Sequence, residues 1–283
     1  MFERQTTGSV VCSSCGKLVG VRDERCLNCG RRNPGMWGFA PALRKLGHDL
    51  GFGKIALGLC VIFYGLSLAV DASAIQMGSL LGFLSPSYLG LRVFGASGWQ
   101  PVFGDGWWWT VASAGWLHGS LLHIAFNMYW LVQLSPAIAH LYGPARAVLL
   151  YLGSSVAGFT ATSVAALFPL PAFLQGATNT VGASAAIFGW IGALVFYGRR
   201  TGSTRLAQQM LGFVVPMFVL GLLIPMLDNW AHLGGFAGGY LFANVLDPLR
   251  PERVDHVLAA LVAFALSLAA VAASVVHAWP YLR

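Results

Sequence analysis

Seven apolar stretches of membrane-spanning length constrain this chain more than any other feature of its sequence. A helix needs about 20 predominantly apolar residues to cross a bilayer. The stretches lie near positions 54–75, 118–141, 145–167, 181–198, 206–224, 230–246 and 255–277. The fourth and the sixth are short for a full span and rich in glycine. The pattern predicts an all-α, multi-pass membrane protein with seven transmembrane helices.

The low content of charged residues supports this fold class. Hydrophobic residues make up 57 % of the 283 residues and charged residues only 10 %, whereas soluble domains carry about 25 % charged residues. A soluble domain so poor in charge would expose large apolar patches. We therefore expect the chain to be an integral membrane protein with the lipid bilayer as its main surroundings.

The positions of the basic residues predict the orientation of the chain. Nine of the 17 Lys and Arg residues fall within the first 54 positions. With the N-terminus inside, the inner segments hold all of the 17 except Arg92 and Arg283. Because basic residues favour the cytoplasmic side, we expect a cytoplasmic N-terminus in a plasma membrane of the bacterial type. The net charge of +7 then indicates a flank beside an anionic leaflet, with no nucleic-acid partner.

Four cysteines near the N-terminus predict a metal site. Cys12 and Cys15 form one C-x-x-C pair, Cys26 and Cys29 form a second, and a glycine follows each pair. Two such pairs supply four thiolates for a tetrahedral, structural zinc ion. Two disulfides are the alternative interpretation, but thiols stay reduced in the cytoplasm. We expect residues 1–35 to be a cytoplasmic zinc-ribbon module for interaction or regulation, with a cytosolic partner.

The remaining chain divides into a linker and a membrane domain. Residues 36–53 are expected to form a juxtamembrane linker, and residues 54–283 the membrane domain. The outer loop between the first two spans, about 76–117, contains five tryptophans, and indole rings favour the membrane–water interface. An aromatic belt accounts for these tryptophans without any further function.

Polar residues inside the apolar stretches are few, and such residues are usually functional because they are costly in a bilayer. They are His118, His123 and Asn127 in the second stretch, Ser184 in the fourth and His232 in the sixth. Ser184 and His232 both lie near the predicted outer ends of their stretches, so they can meet at one depth. Neighbouring small residues would let the two helix backbones approach closely.

These residue types in this arrangement indicate nucleophilic catalysis. A serine hydroxyl needs a base to take its proton, and His232 can serve as that base. His123, Asn127 and the backbone N–H of Ser184 can stabilise an oxyanion. No buried carboxylate accompanies the histidine, although Asp228 is a weak candidate for orienting it. A packing role for the serine, and a proton relay through the histidines, are the alternatives.

Three motifs in this region resemble those of a known family. His118-Gly-Ser-Leu-Leu-His123-Ile-Ala-Phe-Asn127 resembles the H-x-x-x-x-H-x-x-x-N signature of the rhomboid intramembrane serine proteases. The Gly-Ala-Ser ending at Ser184 and the Ala-His-Leu-Gly-Gly around His232 resemble the two catalytic motifs of that family, in the same order. The resemblance covers about residues 54–283. It implies a six-helix core with a seventh helix added at the C-terminal end.

The resemblance also implies an activity and roles for individual residues. Rhomboid proteases cut transmembrane protein substrates, here single-span proteins, near the outer membrane face without a cofactor for catalysis. On the matching positions, the resemblance implies Ser184 as nucleophile, His232 as general base, His123 and Asn127 as oxyanion stabilisers, and His118 and Gly182 as supporting residues.

Three positions depart from the family pattern. Ala185 replaces the glycine that usually follows the catalytic serine, Phe188 stands where many members have tyrosine, and Thr110 follows Trp109 where arginine is common. Ala185 and Phe188 leave open a catalytically inactive rhomboid-like protein that binds membrane clients, and Thr110 indicates a different anchoring of the first loop. A transporter or proton channel that uses the histidines is a further alternative, but it predicts more buried charges than the sequence contains.

Overall fold

The computed structural model describes residues 4–13, 15–45, 47–224 and 227–282. Arg283, which we predicted on the outer side, lies outside the described residues, as do residues 1–3 and Ser14 of the predicted N-terminal module. The elements in chain order are β1 Ser9–Val11, β2 Leu18–Gly20, α1 Ala40–Arg44, α2 Phe52–Val70, α3 Tyr88–Val93, α4 Thr110–Ser113, α5 Leu121–Tyr142, α6 Pro144–Ala165, α7 Ser184–Thr201, α8 Thr204–Leu223, α9 Asn229–Val245 and α10 Val254–Ala278.

The long helices coincide with the apolar stretches of the sequence. Within the described residues, seven helices have 17 or more residues, and each overlaps one predicted stretch. Five of them, α2, α5, α6, α8 and α10, are long and apolar enough to cross a membrane. The all-α membrane fold is therefore confirmed. The glycine-rich α7 and α9 are the two shorter helices, and the count of seven spans stays a prediction.

Two boundaries differ from the predicted ones for local reasons. The second stretch was predicted from residue 118, but α5 begins at Leu121 because the Ser120 side chain accepts a hydrogen bond from the His123 N–H and caps the helix. His118 therefore lies in the preceding loop. The first stretch was predicted to residue 75, but α2 ends at Val70, where the chain turns at Asp71.

Glycines bring α7 and α9 into backbone contact at the centre of the membrane domain. A Cβ atom added to Gly239 of α9 would overlap the carbonyl oxygen of Gly189 in α7. One added to Gly235 would overlap the carbonyl oxygen of Ala185. Small residues allow this close packing between membrane helices. The ends of α7 and α9 are thereby held side by side.

The tryptophans of the outer loop pack against α10 more than an aromatic belt requires. Trp107 is only 8 % exposed, whereas Trp108 is 70 % exposed. The indole N–H of Trp109 donates to Ser274 Oγ at 3.1 Å, and its ring lies 4.7 Å from that of His277. The Arg92 guanidinium lies 4.3 Å from the centre of the Trp107 ring. The C-terminal helix therefore anchors this loop.

Candidate active site

Ser184 and His232 lie in direct contact at neighbouring helix ends. Ser184 is the first residue of α7, and His232 lies in the first turn of α9. Ser184 Oγ is 2.9 Å from His232 Nε2, which is hydrogen-bonding distance. The glycine contacts between α7 and α9 make this approach sterically feasible. A hydroxyl and an imidazole from two helices thus form one pair.

Phe188 holds the imidazole of His232 from the α7 side. The two rings are stacked, with centroids 4.3 Å apart and planes 7° from parallel. Phe188 follows Ser184 by one helical turn, so both side chains lie on the same face of α7. The departure from tyrosine therefore leaves the ring contact intact.

Asp228 fixes the start of α9 and does not orient the imidazole. Its carboxylate accepts a hydrogen bond from the Ala231 N–H at 3.0 Å, which makes it the N-cap of α9. Burial raises the pKa of the Asp228 carboxyl above its usual range, and hydrogen bonds oppose that rise. Among the described residues, none accepts a hydrogen bond from His232 Nδ1. The pair therefore has no acidic orienter in this part of the chain.

His123 lies beside the serine with its Nε2 facing Gly182. Its Nδ1 accepts a hydrogen bond from the Gly119 N–H at 3.3 Å, so a neutral ring carries its proton on Nε2. A Cβ atom added to Gly182 would lie 2.8 Å from His123 Nε2 and 3.5 Å from Ser184 Oγ. Gly182 also has φ of +138°, which disfavours a side chain. This glycine therefore keeps the space between the imidazole and the hydroxyl open.

Asn127 and His118 flank His123. Asn127 lies one turn further along α5, is buried, and donates from Nδ2 to the His123 carbonyl at 2.9 Å. That bond uses one of its two amide protons. The fully buried His118 meets the His123 ring edge to face at 5.2 Å. The structure thus gathers Ser184, His232, His123 and Gly182 at one place, with Asn127 and His118 around them.

The methyl group of Ala185 points into the helix contact with α6. A Cβ atom added to Gly158 of α6 would lie 2.8 Å from the Ala185 Cβ. Ala185 is fully buried in a small cluster that also contains Ala114, Phe159 and Ala231. Glycine at position 158 makes room for the methyl group, which explains how alanine is accepted in place of the usual glycine.

The four N-terminal cysteines form a compact cluster. Their sulfur atoms all lie within 4.8 Å of one another, with Cys12–Cys29 at 3.8 Å and Cys15–Cys26 at 3.6 Å. Sulfurs bound to one tetrahedral zinc at about 2.3 Å would be about 3.8 Å apart, and a disulfide would need about 2.05 Å. The cluster therefore fits a four-thiolate metal site and has the form of a zinc ribbon.

Sequence reasoning missed two residues that connect this cluster to the membrane domain. Arg31 follows the second cysteine pair, and Glu252 precedes α10, yet their side chains lie 3.6 Å apart. An arginine directly after a cysteine pair and its glycine is a weak signal, because surface arginines are common. Only the folded chain reveals this contact.

The fold and the site define a class of protein: a multi-span helical membrane protein with a serine–histidine pair between two helix ends. Residues 105–248 match the Rhomboid domain family. The chain belongs to the rhomboid family.

Curated relatives agree with this assignment. RHOMBOID-like protein 4 of Arabidopsis thaliana is 32 % identical over 173 residues, which cover 60 % of this chain and 41 % of the relative. Rhomboid protease GluP of Bacillus subtilis is 28 % identical over 182 residues, covering 63 % of this chain and 34 % of the relative. Putative rhomboid protease YdcA of the same bacterium is 31 % identical over 163 residues, covering 56 % and 76 %. The chain thus spans less than half the length of the first two relatives.

Proposed function

We propose that this chain is an intramembrane serine endopeptidase that cuts single-span membrane proteins near the outer membrane face. Family membership and the relatives named as proteases support the general activity. The observation that carries the specific proposal is the 2.9 Å contact between Ser184 Oγ and His232 Nε2. Residues 54–283 are the proposed protease domain, with residues 36–53 as a linker from a cytoplasmic N-terminal module.

The proposed reaction begins with proton transfer within the pair. His232 Nε2 takes the hydroxyl proton while Ser184 Oγ attacks the scissile carbonyl carbon. The resulting imidazolium then gives this proton to the leaving amine, and an acyl-enzyme remains on Ser184. His232 then takes a proton from water as the water oxygen attacks the ester carbon. The imidazolium returns that proton to Ser184 Oγ when the ester bond breaks, which releases the carboxylic acid product and restores the serine. Stacking on Phe188 and burial hold the imidazole in place during these steps.

The negative charge that develops on the carbonyl oxygen needs hydrogen-bond donors. The Nε2–H of His123 is available because Nδ1 accepts the Gly119 N–H. Asn127 retains one amide proton beyond the bond to the His123 carbonyl. Ser184 is the first residue of α7, where backbone N–H groups lack intrahelical partners and the helix dipole favours negative charge. These groups are the proposed oxyanion donors.

The chemistry restricts the substrate. A peptide bond within a transmembrane helix is shielded by backbone hydrogen bonds, so the segment must unwind before attack. We expect helix-weakening glycine or proline near the cut site. Catalysis of this kind uses no cofactor. The proposed zinc in the N-terminal module is structural, held by Cys12, Cys15, Cys26 and Cys29, because all four ligand positions are filled by the protein.

The proposal is tested by reconstituting the purified protein in liposomes with a single-span substrate. We expect cleavage by the wild type and none above background by Ser184→Ala. Ser163→Ala is the matched control, because this buried hydroxyl on α6 donates to the Phe159 carbonyl of its own helix at 2.7 Å. It should cleave like the wild type. Equal cleavage by Ser184→Ala would refute the proposal. Binding without cleavage by every form would favour the inactive, client-binding alternative.

A further inference from the structure

A buried ion pair joins the N-terminal cysteine module, residues 1–35, to the predicted inner end of the membrane domain. Arg31 Nη1 lies 3.6 Å from Glu252 Oε2, and the two side chains are only 8 % and 2 % exposed. Removing two charges from water is costly unless they are paired and hydrogen-bonded. A pair this buried therefore fixes the relative position of the two segments that carry it.

Glu252 stabilises the start of α6 at the same time. Its Oε1 accepts hydrogen bonds from the Ala145 N–H at 2.7 Å and the Arg146 N–H at 3.0 Å. These amides belong to the first turn of α6, where a carboxylate is favourable. The Glu252 side chain thus links the connection between α9 and α10 to the N-terminus of α6.

Arg146 completes this cluster of polar contacts at the inner face. Its guanidinium donates to the carbonyl oxygens of Leu246 and Asp247, both at 2.7 Å, and of Arg250 at 2.9 Å. These carbonyls lie at the end of α9 and in the connection that follows it. The inner ends of α6 and α9 are therefore held together here, and α9 carries His232 near its opposite end.

The position of Arg31 depends on the fold around the cysteines. The Cys26 N–H donates to the Arg31 carbonyl at 2.9 Å, and the Gly30 N–H donates to the Cys26 carbonyl at 2.8 Å. The turn that carries Cys29 thus closes on the backbone of Arg31. A segment of this size has little apolar core, so a bound metal would supply much of its folding energy.

Apolar side chains do not fill the interface between the cysteine module and the membrane domain. A cavity of about 540 Å³ lies there, between Arg31 and Met36 on one side and Phe52, Leu261 and Phe264 on the other. Contacts across an open cavity lose dispersion attraction. The polar contact between Arg31 and Glu252 is therefore a specific link between the module and the membrane domain.

We propose that the partner of the cysteine module is the inner face of its own membrane domain, and that metal at the four thiolates holds Arg31 on Glu252. Metal occupancy then controls the stability of the inner ends of α6 and α9. This role replaces the expected cytosolic partner with an intramolecular one. It does not depend on the proposed protease activity.

Thermal unfolding of the purified full-length protein in detergent tests the proposal. Nine of the ten tryptophans lie beyond residue 98, so tryptophan fluorescence reports the membrane domain. Metal analysis should find about one zinc ion per chain. We expect Arg31→Ala to lower the melting temperature of the zinc-loaded protein by about 5 °C or more, because Glu252 keeps a buried charge without its partner. After removal of zinc by a chelator, the wild type and Arg31→Ala should melt at the same temperature.

Two further variants separate this effect from general damage. Arg32→Ala is the matched control, because Arg32 is the exposed neighbour of Arg31, and it should melt like the wild type with and without zinc. Glu252→Gln keeps an oxygen for the α6 amides but loses its charge. It should behave like Arg31→Ala, and the double variant should be no worse than either single one. The proposal is wrong if Arg31→Ala melts like Arg32→Ala, or if its difference from the wild type survives loss of zinc.

Discussion

Replacing His232 with alanine is expected to lower the rate of substrate cleavage by about 10⁴-fold or more, as much as replacing Ser184. The reason is that, in the proposed mechanism, His232 Nε2 takes the proton of Ser184 Oγ, which lies 2.9 Å away. Without the imidazole, the hydroxyl keeps its proton and remains a weak nucleophile. The initial rate of cleavage of a single-span substrate in liposomes measures this effect.

The effects of Ser184→Ala and His232→Ala on the cleavage rate should be strongly non-additive. Because the proposed mechanism uses the hydroxyl and the imidazole in one proton transfer, the double variant Ser184→Ala/His232→Ala should cleave no more slowly than either single variant. His140→Ala provides the control, since His140 is an exposed histidine at the far end of α5. If the two substitutions lowered the cleavage rate by independent factors that multiply in the double variant, His232 would act on a group other than Ser184. A wild-type cleavage rate for His232→Ala would exclude His232 as the base.

Replacing Gly239 with alanine is expected to destabilise the membrane domain by about 3 kcal/mol or more. The new Cβ would overlap the Gly189 carbonyl oxygen, which belongs to the backbone of α7 and cannot move aside as a flexible side chain can. The helices would have to separate, so Ser184 and His232 would also move apart. Equilibrium unfolding in detergent, followed by tryptophan fluorescence, measures the loss of stability.

We expect the opposite change in stability from Gly58→Ala, which serves as the control for Gly239→Ala. Gly58 also lies within a long helix, but a Cβ atom added there meets nothing within 4 Å. Alanine at such a site should stabilise by up to about 1 kcal/mol, because glycine loses more backbone entropy on folding. Similar effects of the two substitutions would show that contact between α7 and α9 does not determine stability.

The helices could be predicted from the sequence because a bilayer requires long apolar runs. The third stretch, predicted at 145–167, corresponds to α6 at Pro144–Ala165. The closeness of Ser184 and His232 could also be predicted, since both lie at the start of a glycine-rich stretch and small residues permit backbone contact. The sequence of a membrane protein therefore indicates both where its helices lie and how deep a residue lies in the bilayer.

The contacts of several other side chains could not be predicted in this way. Asp228 was a weak candidate for orienting His232, but hydrogen bonding to the Ala231 N–H makes it a helix cap. Trp107 and Trp109 matched an aromatic belt, yet they pack against Arg92 and His277. The position of a residue within an apolar stretch predicts its depth in the membrane, but its contacts are determined by the tertiary structure.

The pairing of Arg31 with Glu252 illustrates the same limit. Each residue alone is typical of a solvated surface. Their burial follows from docking of the cysteine module on the loop before α10, and neither periodicity nor motif spacing encodes that arrangement. The four cysteines, by contrast, could be assigned to one site because metal ligation imposes a fixed spacing.

Reaction of the purified protein with a serine-directed fluorophosphonate, followed by mass spectrometry of its peptides, tests the central claim most directly. We expect one covalent adduct per chain, on Ser184, since only a hydroxyl activated by an imidazole reacts readily with such a probe. The adduct should be absent from Ser184→Ala and nearly absent from His232→Ala. Labelling of a different residue, or undiminished labelling of Ser184 in His232→Ala, would contradict a catalytic pair between α7 and α9.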